Sequence, residues 1–133
     1  MQRIYLSYID MQAKTNDTTT TRGREAEALA ARVLEARGLH VVTRNFRIRG
    51  GEIDLICHDG RTLVFVEVRL RSRHDFGGAG ASITAAKQRR IILAARHYLA
   101  GKPDCDCRFD CVLLDGLDAS RIEWIKNAFS ADA

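Results

Sequence analysis

Apolar residues switch between helical and strand spacing along this chain, and each switch marks an element. From Arg22 to Gly38 they recur at Ala26, Leu29, Ala30, Val33 and Leu34, the spacing of one buried helical stripe, with Gly38 as the stop. Leu39 to Ile48 then predicts a first strand, closed by Gly50. Two alternating runs follow, Glu52 to His58 and Thr62 to Leu70, joined at Asp59-Gly60, a dipeptide suited to the positive-φ positions of a tight hairpin. Thr84 predicts the N-cap of a second helix reaching Ala100, with Ile91, Ile92, Ala95, Tyr98 and Leu99 as its stripe and Gly101 and Pro103 behind it. Arg108 to Leu114 reads as a fourth strand, and Ile122 to Ile125 as a short fifth strand or the lead into a last turn.

The hairpin holds the chemistry. A two-residue turn that pairs His58 with Arg61 sets Glu52 opposite Glu67 and Asp54 opposite Phe65. Side chains alternate along a strand, so Glu52, Asp54, Glu67 and Arg69 share one face, while Ile53, Leu55, Val64, Val66, Val68 and Leu70 share the other as core. The run LVFVEV is apolar on both sides of Glu67, which predicts a central, covered strand. A carboxylate there is costly unless it is paired or metal-bound. Diagonal neighbours across strands lie roughly 7 to 8 Å apart, close enough for carboxylate tips to converge. Such a patch attracts a cation, and oxygen-only donors favour Mg²⁺ or Mn²⁺ completed by water and substrate phosphate. The plainer alternative is a hairpin with one solvated face.

With 133 residues, 46% of them hydrophobic, the chain fits one domain running from Arg22 onward. Residues 1–21 end in the polar tract TNDTTTT and predict a disordered extension, within which Met11 offers an alternative start. No apolar run approaches the ~20 residues a membrane helix needs. Four cysteines without a secretory pattern predict reduced thiols in a cytoplasm. The net charge of +4 is mild, but Arg44 to Arg96 holds eleven Lys or Arg against five Asp or Glu. A polyanion such as nucleic acid is drawn to that segment. Arg71 and Arg73 lead into a glycine-rich connection. Lys87, Gln88, Arg89 and Arg90 fill the first turns of the second helix, where positive charge opposes the helix dipole and phosphate contact gives it a reason. Cys105, Cys107 and Cys111 lack zinc-site spacing, and no histidine pairs with a nucleophile in a recognisable pattern.

Asp54, twelve intervening residues and then Glu67-Val68-Arg69 resemble the PD-(D/E)xK motif of restriction-endonuclease-like nucleases, with Arg69 where that motif has lysine. The wider chain is similar to the YraN-like family of small bacterial proteins. The likeness rests on GREAEALAARVLEARG (Gly23 to Gly38), GEIDLI (Gly51 to Ile56), FVEVR (Phe65 to Arg69), KQRR (Lys87 to Arg90), CRFDCV (Cys107 to Val112) and IEWIKNAF (Ile122 to Phe129). It implies an α/β, restriction-endonuclease-like core in which a central mixed β-sheet of four to five strands is flanked by helices. It further implies a Mg²⁺-dependent nuclease acting on DNA, branched or recombination intermediates included. Asp54, Glu67 and the main-chain carbonyl of Val68 would be metal ligands. Glu27, the last acid of the GxxxE pattern from Gly23, would reach the same site, with Glu25 outside it.

Arg69 stays protonated, so it could orient water or stabilise phosphate charge only, leaving the ion's own water, Glu52 or Glu67 as candidate bases. Because junction resolvases cut two strands, a homodimer fits the resemblance. Two further readings stay open: a non-catalytic nucleic-acid-binding module that retains the nuclease fold, and an interaction scaffold suggested by the acidic C-terminal end.

Overall fold

Seven principal elements follow one another in the computed structural model, which describes residues 18–71 and 83–131: α1 (Thr18–Ala36), β1 (His40–Ile48), β2 (Gly51–Asp59), β3 (Thr62–Arg71), α2 (Ala85–Leu99), β4 (Cys107–Asp115) and β5 (Ile122–Phe129). Helix α1 ends where its sequence says it must. Gly38 takes φ 103°, its N–H donates to Glu35 O at 3.1 Å, and Leu39 N–H reaches back to Leu34 O at 3.0 Å. That crossed pair satisfies carbonyls the last turn would otherwise leave bare. Helix α2 begins with Thr84, whose Oγ1 accepts the Lys87 N–H at 3.1 Å. The extension expected over residues 1–21 lies outside the described residues as far as residue 17, and α1 is already formed at Thr18.

The sheet runs β1-β2-β3-β4-β5, antiparallel at every junction except β3–β4, which is parallel. The fold is therefore α/β, with a mixed five-stranded sheet between helices. A parallel pair needs a long crossover, and α2 lies within it. Helix α1 covers one face over Leu55, Cys57, Val64, Val66 and Val112; α2 covers the other over Ile53, Ile56, Phe65 and Leu113. Phe65 is central to the second layer, 5.5 Å from Phe109 and edge-on to Tyr98 at 6.2 Å.

Two expectations about the hairpin are corrected. Asp59 pairs with Thr62, so the turn is Gly60-Arg61 and not Asp59-Gly60. Gly60 takes φ 60° while Arg61 does not take a positive φ, the sign pattern of a type II′ turn. Asp59 is kept in the strand by its own partner, the Arg108 guanidinium 2.9 Å from Oδ2. The register moves by two residues, and Leu55 faces Val66. Nor is one face of the hairpin reserved for charge: Ile56 and Phe65, on that side, are fully buried beneath α2.

Asp110 is a fully buried carboxylate that sequence periodicity gave no reason to expect. Its Oδ1 accepts the Asn127 N–H at 2.9 Å, its Oδ2 accepts Trp124 Nε1–H at 2.9 Å, and Arg108 Nε–H lies 3.0 Å from Oδ1. These bonds sit where the β4–β5 register shifts, between Phe109 and Cys111, so a side chain replaces the ladder bonds the shift removes. Replacing Asp110 with Ala would take away the acceptor of three part-buried donors. Asp110→Ala is expected to cost about 3 kcal/mol in urea-unfolding free energy. An unchanged unfolding midpoint would show that β5 is held by other contacts.

Candidate active site

The candidate site lies where two strands part. β2 and β3 pair from Asp59–Thr62 only as far as Leu55–Val66. Beyond that point β2 stays with β1 down to Gly51, and β3 stays with β4 up to Arg71. Asp54 and Glu67 stand immediately past the last pair. The Val68 N–H donates to Asp54 Oδ2 at 2.8 Å, so the aspartate serves as acceptor for an amide next to the opening. The pleat of β2 also reverses here, since Ile53 packs with α2 and Leu55, two residues on, with α1. By the register of Arg44 with Leu55 and Phe46 with Ile53, Asn45 falls across from Asp54, and it adopts φ 52°. Asn tolerates that left-handed conformation better than most side chains.

Two further carboxyl groups approach Asp54. Glu67, only 7% exposed, comes from β3, and Glu27 reaches in from α1. Burial drives the Glu67 carboxyl well above the ordinary value; the charge of Asp54 and a hydrogen bond to it add to the rise, and Lys87 offsets part of it. Glu27 is raised for the same reasons in the same order, with a hydrogen bond from Asn45 and the charge of Arg47 pulling the other way. Each glutamate shares a hydrogen bond with Asp54, and burial beside that carboxyl group is what holds both above the ordinary value.

Cations border the cluster. Lys87 Nζ donates to Glu52 Oε1 at 2.8 Å and lies 3.7 Å from Glu67 Oε2. Burial disfavours its charge, but the Glu52 hydrogen bond and the surrounding carboxylates outweigh burial and hold the ammonium above its ordinary value. Glu52 is held below the usual carboxylate value, first by that hydrogen bond and then by the charges of Lys87, Arg47 and Arg90, against burial. Arg47 lies 3.3 Å and Arg90 3.9 Å from its oxygens. Gly51 makes this juxtaposition possible: a Cβ there would stand 2.4 Å from the Arg90 carbonyl oxygen, so no other residue lets α2 lie this close to β2.

The remaining expected residues are distributed as follows. Arg69 is half-buried on β3 beside Leu113 of β4. Arg71 is engaged by Asp115 at 3.1 Å and by Glu123 at 3.9 Å. Gln88 donates from Nε2 to the Ile83 carbonyl at 2.8 Å, and Arg89 is exposed. Glu25 is exposed, while Arg73 lies outside the described residues. Val68 meets the cluster through its N–H. Asn45 was not anticipated; an Asn within an otherwise alternating strand is the only signal it leaves. Burial pushes the thiols of Cys57 and Cys111 up to about 12, which keeps them protonated and unreactive.

The donor set suits a hard divalent ion in kind: oxygens only, buried at Glu67 and half-buried at Asp54 and Glu27, and disfavouring full ionisation together. It is not a ready-made cage. Among the described residues no three or more His, Cys, Asp or Glu are arranged to hold an ion. Mg²⁺ does not need such a cage, because one or two carboxylates with water and substrate phosphate are its usual shell.

A mixed five-stranded sheet that opens at its centre over buried acids defines the class as an α/β domain with a carboxylate-lined fork. The chain belongs to the family described as Uncharacterised protein family UPF0102, which matches residues 26–114 and so includes Glu27, Asp54, Glu67, Lys87 and Asp110. It is 77% identical over 122 residues to a UPF0102 protein of Dechloromonas aromatica, covering 92% of this chain and 99% of that one. A UPF0102 protein of Methylobacillus flagellatus is 56% identical over 109 residues, covering 82% and 96%. Another, from Nitrosospira multiformis, is 52% identical over 116 residues, covering 86% and 98%. Among the described residues no helix is long and apolar enough to cross a membrane.

Raised carboxyl values make stability depend on pH. Glu27 and Glu67 hold protons in the folded state that they lose near 4.5 when unfolded, so their contribution is complete below 4.5 and is lost as pH rises through the raised values. Asp54→Asn removes the charge that helps raise both. In chelator, the urea midpoint of the wild type should fall between about pH 5 and 9 more steeply than that of Asp54→Asn. Equal slopes would show that the three acids do not share protons.

Proposed function

We propose that the protein is a Mg²⁺-dependent nuclease that hydrolyses phosphodiester bonds of DNA, branched intermediates included. The observation that supports this reading most is the meeting of Asp54, Glu67 and Glu27 at the β2–β3 fork with the Lys87 ammonium 3.7 Å from Glu67. Asp54 and Glu67 would hold the ion, with the Val68 carbonyl and Glu27 within the same wall; Mn²⁺ suits the same oxygens. When bound, Mg²⁺ supplies an acidified water and neutralises charge that develops on the phosphate.

This chain's residues do the rest. With an ion bound, Glu27 and Glu67 would stand in their ionised forms beside Asp54, their protons passing to solvent. Lys87 offers what Arg69 lacks, a compact ammonium at the carboxylates. Because its value is raised it serves as a fixed positive charge for a phosphate oxygen, not as a base. Glu52 is a weak proton acceptor for the converse reason, which suits it to positioning Lys87 more than to deprotonating water. Arg69, with Arg89 and Arg90 in the first turns of α2 and the amide of Gln88 between them and Lys87, would complete a surface for the backbone. Cleavage of two strands of a junction would call for two copies of the chain.

One observation favours the second reading, a non-catalytic nucleic-acid-binding module. Asp54 already accepts the Val68 N–H and is hydrogen-bonded to Glu27 and Glu67, so the fork can stand without an ion. Calorimetric titration of Mg²⁺ and Mn²⁺, with cleavage assays on branched and duplex DNA, separates the two. Asp54→Asn should lose metal binding and lower cleavage by about a hundredfold or more, the rate equivalent of several kcal/mol, while DNA affinity holds or rises. Metal binding by neither protein, with DNA binding by both, would establish the module. Equal cleavage by wild type and variant would assign the activity to a contaminant.

A further inference from the structure

We infer that Arg47, Lys87 and Arg90, gathered on the Glu52 carboxylate, form a docking site for a phosphodiester of the DNA backbone at the edge of the carboxylate fork. This deepens the nuclease reading and rests on it for the identity of the polyanion.

The three cations come from separate parts of the chain. Arg47 lies on β1; Lys87 and Arg90 lie one turn apart at the start of α2. Gly51 brings them together, since an added Cβ would meet Ala94 N at 3.2 Å as well as the Arg90 carbonyl, and the helix backbone therefore rests on the strand. One carboxylate then faces three positive charges, at 2.8 Å from Lys87, 3.3 Å from Arg47 and 3.9 Å from Arg90. Glu52 carries one negative charge against these three, and Lys87 also faces Glu67 at 3.7 Å, so the two arginines are the cations held most loosely.

The contacts leave the cations available. Only the Lys87 contact has hydrogen-bond length; the two arginine contacts are looser ion pairs, and such pairs near solvent hold weakly. Each guanidinium carries five N–H donors, so one distant carboxylate oxygen leaves most of its capacity for phosphate. The Arg47 and Arg90 side chains are 42% and 53% exposed, against 25% for Glu52, so the cations reach solvent and the carboxylate sits beneath them. Lys87 also lies 3.7 Å from Glu67, so a phosphate held by this group is adjacent to the fork. Glu52 is in this account a positioning residue that keeps the cations in place until phosphate arrives.

The test is binding of a short fluorescein-labelled DNA duplex, followed by anisotropy in chelator across a salt series, so that no cleavage is required. Arg47→Ala and Arg90→Ala should each weaken binding about tenfold at low salt and reduce the log–log salt slope by about 0.9. Arg47→Lys should recover the slope, and Glu52→Gln should tighten binding by removing a competing charge. Arg32→Ala, an exposed arginine on α1, is the charge-matched control and should change little. Urea midpoints confirm that each variant is folded.

An unchanged slope in Arg47→Ala and Arg90→Ala, or an equal loss in Arg32→Ala, would overturn the docking site in favour of bulk charge. Absence of duplex binding by the wild type would overturn it outright, and tighter Arg47-dependent binding of an RNA duplex would overturn its assignment to DNA. Arg47-dependent DNA binding without metal-dependent cleavage would keep the docking site and retire the nuclease reading. Cleavage by the wild type with binding unaffected in the variants would do the reverse.

Discussion

A strand amide next to an opening in a covered sheet must find an acceptor or leave the sheet. The Val68 N–H finds it in Asp54, at 2.8 Å, and much of the architecture follows from that one bond. It lets β3 keep its long parallel register with β4 while β2 keeps its antiparallel register with β1, although the two have separated. The separation sets Glu67 in the interior just past the last β2–β3 pair, beside Asp54. A side chain that caps a backbone group is also a fixed side chain, so Asp54 is oriented before any ligand arrives.

The two helices then act on the fork from opposite faces and with opposite charge. Helix α1 brings an acid, Glu27, whose burial and proximity to Asp54 make its proton hard to lose. Helix α2 brings a cation, Lys87, whose burial is outweighed by the acids around it. Desolvation works against charge in both cases, yet the outcomes differ because the nearest neighbour is a like charge for one and an opposite charge for the other. A bare glycine at position 51 fixes how near the second helix lies. Distance, more than residue type, decides that Lys87 belongs to the cluster.

Elements governed by local rules were legible in the sequence. The stop of α1 at Gly38, the Thr84 cap, the apolar stripe of α2 and the burial of β3 all follow from spacing and from what glycine and threonine do at helix ends. The hairpin turn was misjudged because Asp59-Gly60 has the composition of one tight turn and Gly60-Arg61 the geometry of another. The choice rests on Arg108, forty-nine positions away, holding Asp59 in its strand. Glu52 and Lys87 are likewise thirty-five positions apart. Their pairing was visible only as positive charge on the wrong end of a helix dipole. Asp110 was hidden for the same reason: its donors arrive from Trp124 and Asn127, on a strand whose register shifts where the aspartate is buried.

Asn45 has a second consequence, beyond its hydrogen bond to Glu27. β1 and β5 are the outermost strands of the sheet, and an outermost strand offers a free row of donors and acceptors to any passing chain. Each carries an asparagine in the left-handed conformation, Asn45 at φ 52° and Asn127 at φ 56°. Asn45 interrupts β1 near its middle and Asn127 interrupts β5 near its end, so neither strand presents an uninterrupted template. The kink that turns one side chain inward to the acids therefore also interrupts the outer edge as a template for an added strand, so one backbone angle serves both the interior and the rim of the sheet.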